Sequence, residues 1–420
     1  MARVLWLLAA LPLIAHAACA DELADLKNPL VQVGITPTLL YEGSGIGDVT
    51  GGVRQGATYA GNLHLQLAMD GGKTWGVPGL TGWLDVLWVT GGNPDNFAGD
   101  AQGVSNISAP AALRLYEAWL QYNFADNRYS ILAGRYDLNS EFYRLTSGAL
   151  FLNSSFGLGA AFGLSGFAGP SIFPDPSFGA RFTFKPWPNV IWHNAVLDGA
   201  PLNRIDGSPN PFDARSGVLL VSELVFVDRP YNDAGQSARF RIGRYGGPPT
   251  YDSKVALGVW YYTAAFPDLS VTAPNGAPLL RHGSEGAYLL ADQTLLHGGD
   301  DGTARLLAAF LQLGCADPEL NRFGVYLGAG LVATGALQRR PSDQLGLGFA
   351  MARNSSHYDA AQLTSGLPVA AAETTIELTY LAQVNDWLAV QPDVQYVVYP
   401  NANPRIPNAL VAQVEIELKF

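Results

Sequence analysis

Carboxylates, an indole, a carboxamide and a guanidinium recur at every second position in two neighbouring stretches of the chain. Glu117, Trp119 and Gln121 share one parity, and Arg135 and Asp137 share a parity a few residues on. Side chains of these types at this spacing make a wall that donates and accepts hydrogen bonds. With both signs of charge present, such a wall sets up a local field without acting as a strict ion filter. The same alternation puts Arg181, Glu223, Glu373, Glu377 and Asp393 on later walls. These residues fit equally well an ordinary solvated lining in which the charges balance one another.

Covalent and metal chemistry find little support. The six histidines are His16, His64, His193, His282, His297 and His357. None sits in a nucleophile motif, an H-E-x-x-H helix or a cysteine-histidine metal spacing. His64 and Asp70 can share one wall. No phosphate-binding loop is present, and the scattered Gly-x-Gly pairs fall where strands or turns already explain glycine. No catalytic residue, metal ligand or cofactor is expected.

What positions the polar wall is a strand of period two. At the C-terminus Leu410, Ala412, Val414, Ile416, Leu418 and Phe420 form one face, and Gln413, Glu415, Glu417 and Lys419 form the other. Thr374, Ile376, Leu378, Tyr380, Ala382 and Val384 alternate with Glu373, Thr375, Glu377, Thr379 and Gln383. Val390, Val394, Tyr396 and Val398 alternate with Gln391, Asp393 and Gln395. Earlier, Tyr59, Leu63, Leu65, Leu67 and Met69 oppose Asn62, His64, Gln66 and Asp70, while Tyr116, Leu120, Tyr122 and Phe124 oppose Glu117, Trp119, Gln121 and Asn123. Strands of about ten residues with one oily face suit a tilted crossing of a hydrocarbon layer. Leu306 to Leu313 and Val218 to Val227 are apolar on both faces and fit the pattern less well.

Composition points the same way. The chain holds 47 Gly, 18 Tyr, 19 Phe and 9 Trp with 15% charged residues and a mean hydropathy of only +0.10. Alternating lipid-facing and water-facing residues average to such a value. The expected fold class is all-β: a transmembrane antiparallel β-barrel of about sixteen strands, filling residues 21–420.

The first twenty residues read as a secretory signal: Arg3, an apolar run from Val4 to Ala15, and small residues up to Ala20. Cleavage there leaves Cys315 alone, so no intramolecular disulfide is available. It also leaves 24 basic against 36 acidic residues, a net charge of −12. That balance argues against nucleic acid and anionic lipid as partners.

Sixteen strands place both ends of the chain on one, periplasmic, side. The joints at Asp126-Asn127, Pro186-Trp187-Pro188, Gly298 to Gly302 and Asn385-Asp386 are short. Those at Gly91 to Ala112, Asn139 to Ser177, Pro267 to Gly286 and Asn354 to Ala371 are long and belong outside. This parity requires Arg239 to Tyr251 to be an irregular connection, not a seventeenth strand. The stretch from Asn139 to Ser177 carries Phe151, Phe156, Phe162, Phe167 and Phe173, and is the candidate for a loop that folds into the barrel, a flexible external loop being the alternative.

Several segments resemble the carbohydrate-selective porins of the OprB type. They are Gly134-Arg135-Tyr136-Asp137, Phe151-Leu152-Asn153-Ser154-Ser155-Phe156-Gly157, Ala291-Asp292-Gln293, Gly330-Leu331 with Arg340-Pro341-Ser342-Asp343, and Glu373 to Tyr399. The resemblance spans about Gly134 to the C-terminus and is weaker over the first hundred residues. It implies a sixteen-stranded porin of the bacterial outer membrane with a preference for small neutral sugars. Planar hydrogen-bonding groups and aromatic faces on the expected lumen walls suit a pyranose. The terminal Phe420 resembles the signature by which outer-membrane proteins reach their insertion machinery, and the oily face would meet outer-membrane lipid. A general porin without sugar preference, a rim-active enzyme and an adhesive barrel are the alternatives.

Overall fold

The computed structural model describes residues 29–201, 212, 215–228, 252–298, 305–337 and 339–420. The expected signal, its cleavage site, the Arg239–Tyr251 connection and most of the turn after Gly298 lie outside these residues.

Sixteen strands close into one antiparallel barrel. They are β1 (Ile35–Thr50), β2 (Gly56–Asp70), β3 (Leu80–Gly91), β4 (Ala112–Phe124), β5 (Tyr129–Tyr136), β6 (Ser177–Trp187), β7 (Val190–Asp198) and β8 (Val218–Val227). Then follow β9 (Ser253–Thr272), β10 (Pro278–Gly298), β11 (Arg305–Ala316), β12 (Phe323–Thr334), β13 (Gln344–Asn354), β14 (Ala372–Gln383), β15 (Leu388–Val398) and β16 (Ala409–Lys419). Each strand pairs with its sequence neighbours, and β1 closes the ring on β16 with Tyr41 opposite Leu418 and Gly45 opposite Val414. No edge is left, which is what a sheet surrounded by lipid requires.

The barrel is inside out compared with a water-soluble fold. On β14, Ile376 and Leu378 are 44% and 52% exposed, while Glu373, Thr375, Glu377 and Thr379 are fully buried. Leu65, Leu120, Tyr122, Val394 and Val414 are likewise on the outside, with Gln66, Gln121, Asp393 and Glu415 within. Near the short β4–β5 turn, Phe124, Tyr129 and Phe184 stack at 5.3 and 5.0 Å between ring centres, part of an aromatic girdle. No helix among the described residues is long and apolar enough to cross a membrane. The crossing is made by strands.

Two local expectations change, and one long connection gains a helix. Pro267 to Gly286 is not a long loop, because β9 and β10 continue as a ladder of 20 and 21 residues to a turn at residues 273–277. The β-branched Val271 and Thr272 favour extension. Asn275 and Gly276 supply the turn, with Gly276 at φ +81°. Tyr116 points inward, not outward: the β3–β4 register shifts between Asp85 and Val86, and this bulge turns both Tyr116 and Glu117 into the lumen. Residues 355–371 include a helix, Ser356–Thr364, capped by the Ser355 hydroxyl.

Candidate functional site

The β5–β6 connection, residues 137–176, folds into the barrel and is pinned there by side chains on opposing walls. Glu377 on β14 accepts from the Leu152 and Asn153 amides at 2.6 and 3.0 Å. Glu223 on β8 accepts from the Tyr143 amide and the Tyr288 hydroxyl, both at 2.8 Å. Asp292 on β10 holds the Ser147 amide and hydroxyl. Gln312, Tyr326 and Gln391 donate to the Phe156, Ser155 and Leu150 carbonyls. Charged acceptors on backbone N–H groups are among the stronger hydrogen bonds available.

Two glycines make room for the loop. A Cβ on Gly348 would sit 2.7 Å from both Phe151 and Phe156, and one on Gly346 would sit 2.8 Å from Leu150. The Phe151 ring lies 4.6 Å from Phe156 and 5.5 Å from Phe310 between centres. The loop therefore buries its aromatic residues against a stripped inner wall, through dispersion and loss of apolar surface to water.

The β3–β4 connection, residues 92–111, also turns inward. Glu373 accepts from the Ala101 and Gln102 amides at 2.7 and 2.9 Å, and Gln395 and Gln413 donate to the Val104 carbonyl. Burial pushes the Asp100 carboxyl well above the usual carboxylate range, with Asp95 and Glu373 adding like charge beside it. Burial raises Asp95 as well, against a hydrogen bond between the two side chains.

The sequence-selected residues fall into two groups. Arg181 pairs with Glu141 of the inward loop at 2.8 Å and donates to Gln121 and Ser130. Glu223, Glu373 and Glu377 hold loop amides, and Asp393 accepts from Gln395 and Gln413. The second group meets on β4 and at the end of β5. Glu117 accepts from the Trp119 indole at 3.2 Å and from the Asp137 amide at 3.0 Å, while Asp137 accepts from the Tyr116 hydroxyl. Arg135 is not part of this contact. It lies across from Ala118 and Phe178, on the outward alternation, while Tyr136 takes the fully buried inward position; Gly134, at φ +142°, precedes them.

Glu42, Trp83 and Asp85 escaped the sequence reading, and His64, read as a wall residue, has a partner other than the expected one. His64 on β2 binds Asp85 on β3 at 2.9 Å and lies 3.9 Å from Glu42 on β1. Asp70, expected as its neighbour, instead caps the turn at Gly71–Thr74 by accepting from the Gly72 and Lys73 amides. Trp83 stacks on Trp119, 6.4 Å between centres and 23° from parallel. The signal for Trp83 and Asp85 was their even spacing with apolar residues between them, within a segment too uniformly oily to stand out.

A closed sixteen-stranded barrel with an inward loop is a porin architecture, and sequence comparison fixes the family. The model of the carbohydrate-selective porin, OprB family, matches residues 54–420. The chain belongs to the OprB family. Among curated relatives of this porin, Porin B of Pseudomonas aeruginosa is 24% identical over 434 residues, covering 94% of this chain and 89% of the relative. The OprB of Pseudomonas putida at high pH superposes with a TM-score of 0.80 at 22% identity, covering 95% of this chain and 97% of that one. The low-pH structure of the same protein gives 0.58 at 18% identity, with the same coverage. The porin is a protein of the bacterial outer membrane with the transport role of its family, and its family and fold are those of a channel.

Proposed function

We propose that this porin passes small neutral sugars through the space between the inward loop and the wall made by β1 to β4. The observation that carries the reading is the Trp83–Trp119 stack on the inner face, beside Glu117 and Asp137. An indole face receives the apolar side of a pyranose, and carboxylates accept from its hydroxyls. Gln121, Arg181, Glu223, Glu373, Glu377 and Asp393 then shape the passage by holding the loops and one another, while Arg135, on the outward alternation, is left out of it. Solutes cross by diffusion, with no catalysis and no cofactor. Residues 1–20 direct export, the outward apolar face meets lipid, and the strand ending in Phe420 is handed to the insertion machinery.

Liposome swelling with graded sugars and amino acids tests this. Sugars should enter faster than amino acids of similar size. Rates set by size alone would leave a general porin. Trp119→Ala should weaken solute block of ion current in planar bilayers about fivefold, for a stacking contribution of about 1 kcal/mol. Unchanged block would move the sugar contact elsewhere.

A further inference from the structure

The outer wall of the barrel is concave along one oblique line. Phe182 on β6 pairs with Asn194 on β7, Asn194 with Ser222 on β8, Ser222 with Val259 on β9, Val259 with Ala287 on β10, and Ala287 with Cys315 on β11. All six belong to the outward alternation, and they line a groove of about 1240 Å³. The groove exists because Ala180, Ser222, Ala287 and Cys315 are small, while Phe182, Val259 and Tyr261 stand out exposed beside them. The two polar residues in the row are tied together: the Trp192 indole donates to the Ser222 hydroxyl, which donates to the Asn194 carbonyl, both at 2.9 Å. On the inner side of the same strands, Ala195, Val221 and Trp260 are buried in the core that holds the inward loop. The wall here separates lipid from a packed interior, not from the water of the pore.

Neighbouring strands lie about 4.8 Å apart, so the row from Phe182 to Cys315 spans about 24 Å. With strands tilted by about 35–45°, that line descends about 14–17 Å through the membrane, the depth of one leaflet of a hydrocarbon layer about 30 Å thick. Its high end is at the outer rim by strand parity, where β11 finishes and Glu285 and Asp317 line the groove. Its low end is apolar: Phe182 stacks on Tyr129 of the inner girdle, 6.2 Å between ring centres. Bulk lipid is as apolar as the groove, so packing is what holds an occupant there. A convex wall gives a chain contact on one side only, whereas a groove left unfilled forfeits dispersion contacts along its whole lining.

We propose that this groove is a binding site for the acylated glycolipid of the outer leaflet, with an acyl chain lying from Cys315 down to Phe182 and the head group at the Glu285–Asp317 end. The outward surface of the barrel meets lipid, and the groove is continuous with it through the exposed Phe178, Val196 and Leu220. The polar outer end and the one-leaflet depth select an outer-leaflet lipid over an inner-leaflet one. Once bound, the lipid braces from outside the wall against which residues 137–176 pack, a role separate from solute passage.

The test extracts the full barrel from outer membranes in mild detergent and weighs it by native mass spectrometry. The wild type should carry an adduct with the mass of the outer leaflet's acylated glycolipid. Ser222→Phe with Ala287→Phe fills the groove and should lower the adduct fraction about fivefold or more. Leu65→Phe, exposed on β2 and away from the groove, should leave it unchanged. Heat-modifiable migration reports folding. If the double variant fails to fold, Ala287→Leu alone should lower the fraction about twofold. A bare wild-type barrel, a phospholipid adduct in place of the glycolipid, or equal retention in the filled variants would overturn the site. So would a wild-type dimer that the filled variants convert to monomer, because a second barrel would then occupy the groove.

Discussion

Removing the Glu377 carboxylate should release the centre of the inward loop while leaving the barrel closed. In the native protein its two oxygens accept from consecutive amides, Leu152 and Asn153, at 2.6 and 3.0 Å, and the side chain is fully buried. Hydrogen bonds to a charged group contribute about 1.5–3 kcal/mol each, so Glu377→Ala costs the docked loop about 3–6 kcal/mol. The β13–β14 and β14–β15 ladders do not depend on this side chain, so the strands stay paired. The readout is amide hydrogen exchange of the peptide holding residues 150–156. A loss of 3–6 kcal/mol corresponds to roughly 150- to 25,000-fold faster exchange if the loop opens locally, bounded by what the anchors at Glu223 and Asp292 still hold. Single-channel conductance should rise and become noisy. Exchange at Leu152 and Asn153 within about threefold of wild type would refute the reasoning, because the carboxylate would then not be what holds these amides.

Crowding the glycine face should act on the same loop by a different route: Gly348→Val places carbon against Phe151 and Phe156, costs about 1–3 kcal/mol, and should increase conductance without changing charge preference. Heat-modifiable migration will separate this from general misfolding. The loop of residues 92–111 should be pH-sensitive through Asp100. A carboxyl raised in the folded state stabilises fully below its ordinary range, and that contribution is lost as pH rises through the raised value. Exchange of the 99–104 peptide should therefore quicken as pH climbs from the ordinary carboxylate range, after correction for intrinsic rates, and Asp100→Asn should flatten the response. Phe420 exchanges backbone hydrogen bonds with Leu39 where β1 meets β16. Phe420→Asp should lower the yield of folded barrel in outer-membrane fractions; a wild-type yield would show that the terminal aromatic is dispensable.

The barrel was legible because alternation is a local property, repeated strand after strand. The exceptions share a cause. Val218 to Val227 looked apolar on both faces because Leu219, Val221 and Val225 point inward at a dry region packed with the loop, not at water. Glu223, Glu373 and Glu377 read as lumen carboxylates, yet nothing in their own strands indicates that two loops some 80 to 270 residues away bring their amides to them. Tyr116 was misplaced because a bulge breaks period two without leaving a sequence mark. The pairing of His64 with Asp85, where Asp70 was expected, depends on the β2–β3 register, which alternation alone leaves open by steps of two.

The β9–β10 hairpin, first read as a loop, has a use beyond the pore. Its ladder carries the turn at Asn275-Gly276 away from the barrel wall, and a side chain at Gly276 would meet nothing within 4 Å. By strand parity this turn belongs to the cell exterior. Lower down, Arg281 ties the base of the hairpin to Asp268 and Glu319, so the tip can change without loosening its root. A foreign peptide spliced between Asn275 and Gly276 should therefore be displayed to antibody on intact cells while the channel goes on conducting, making the hairpin a ready-made mast for surface presentation.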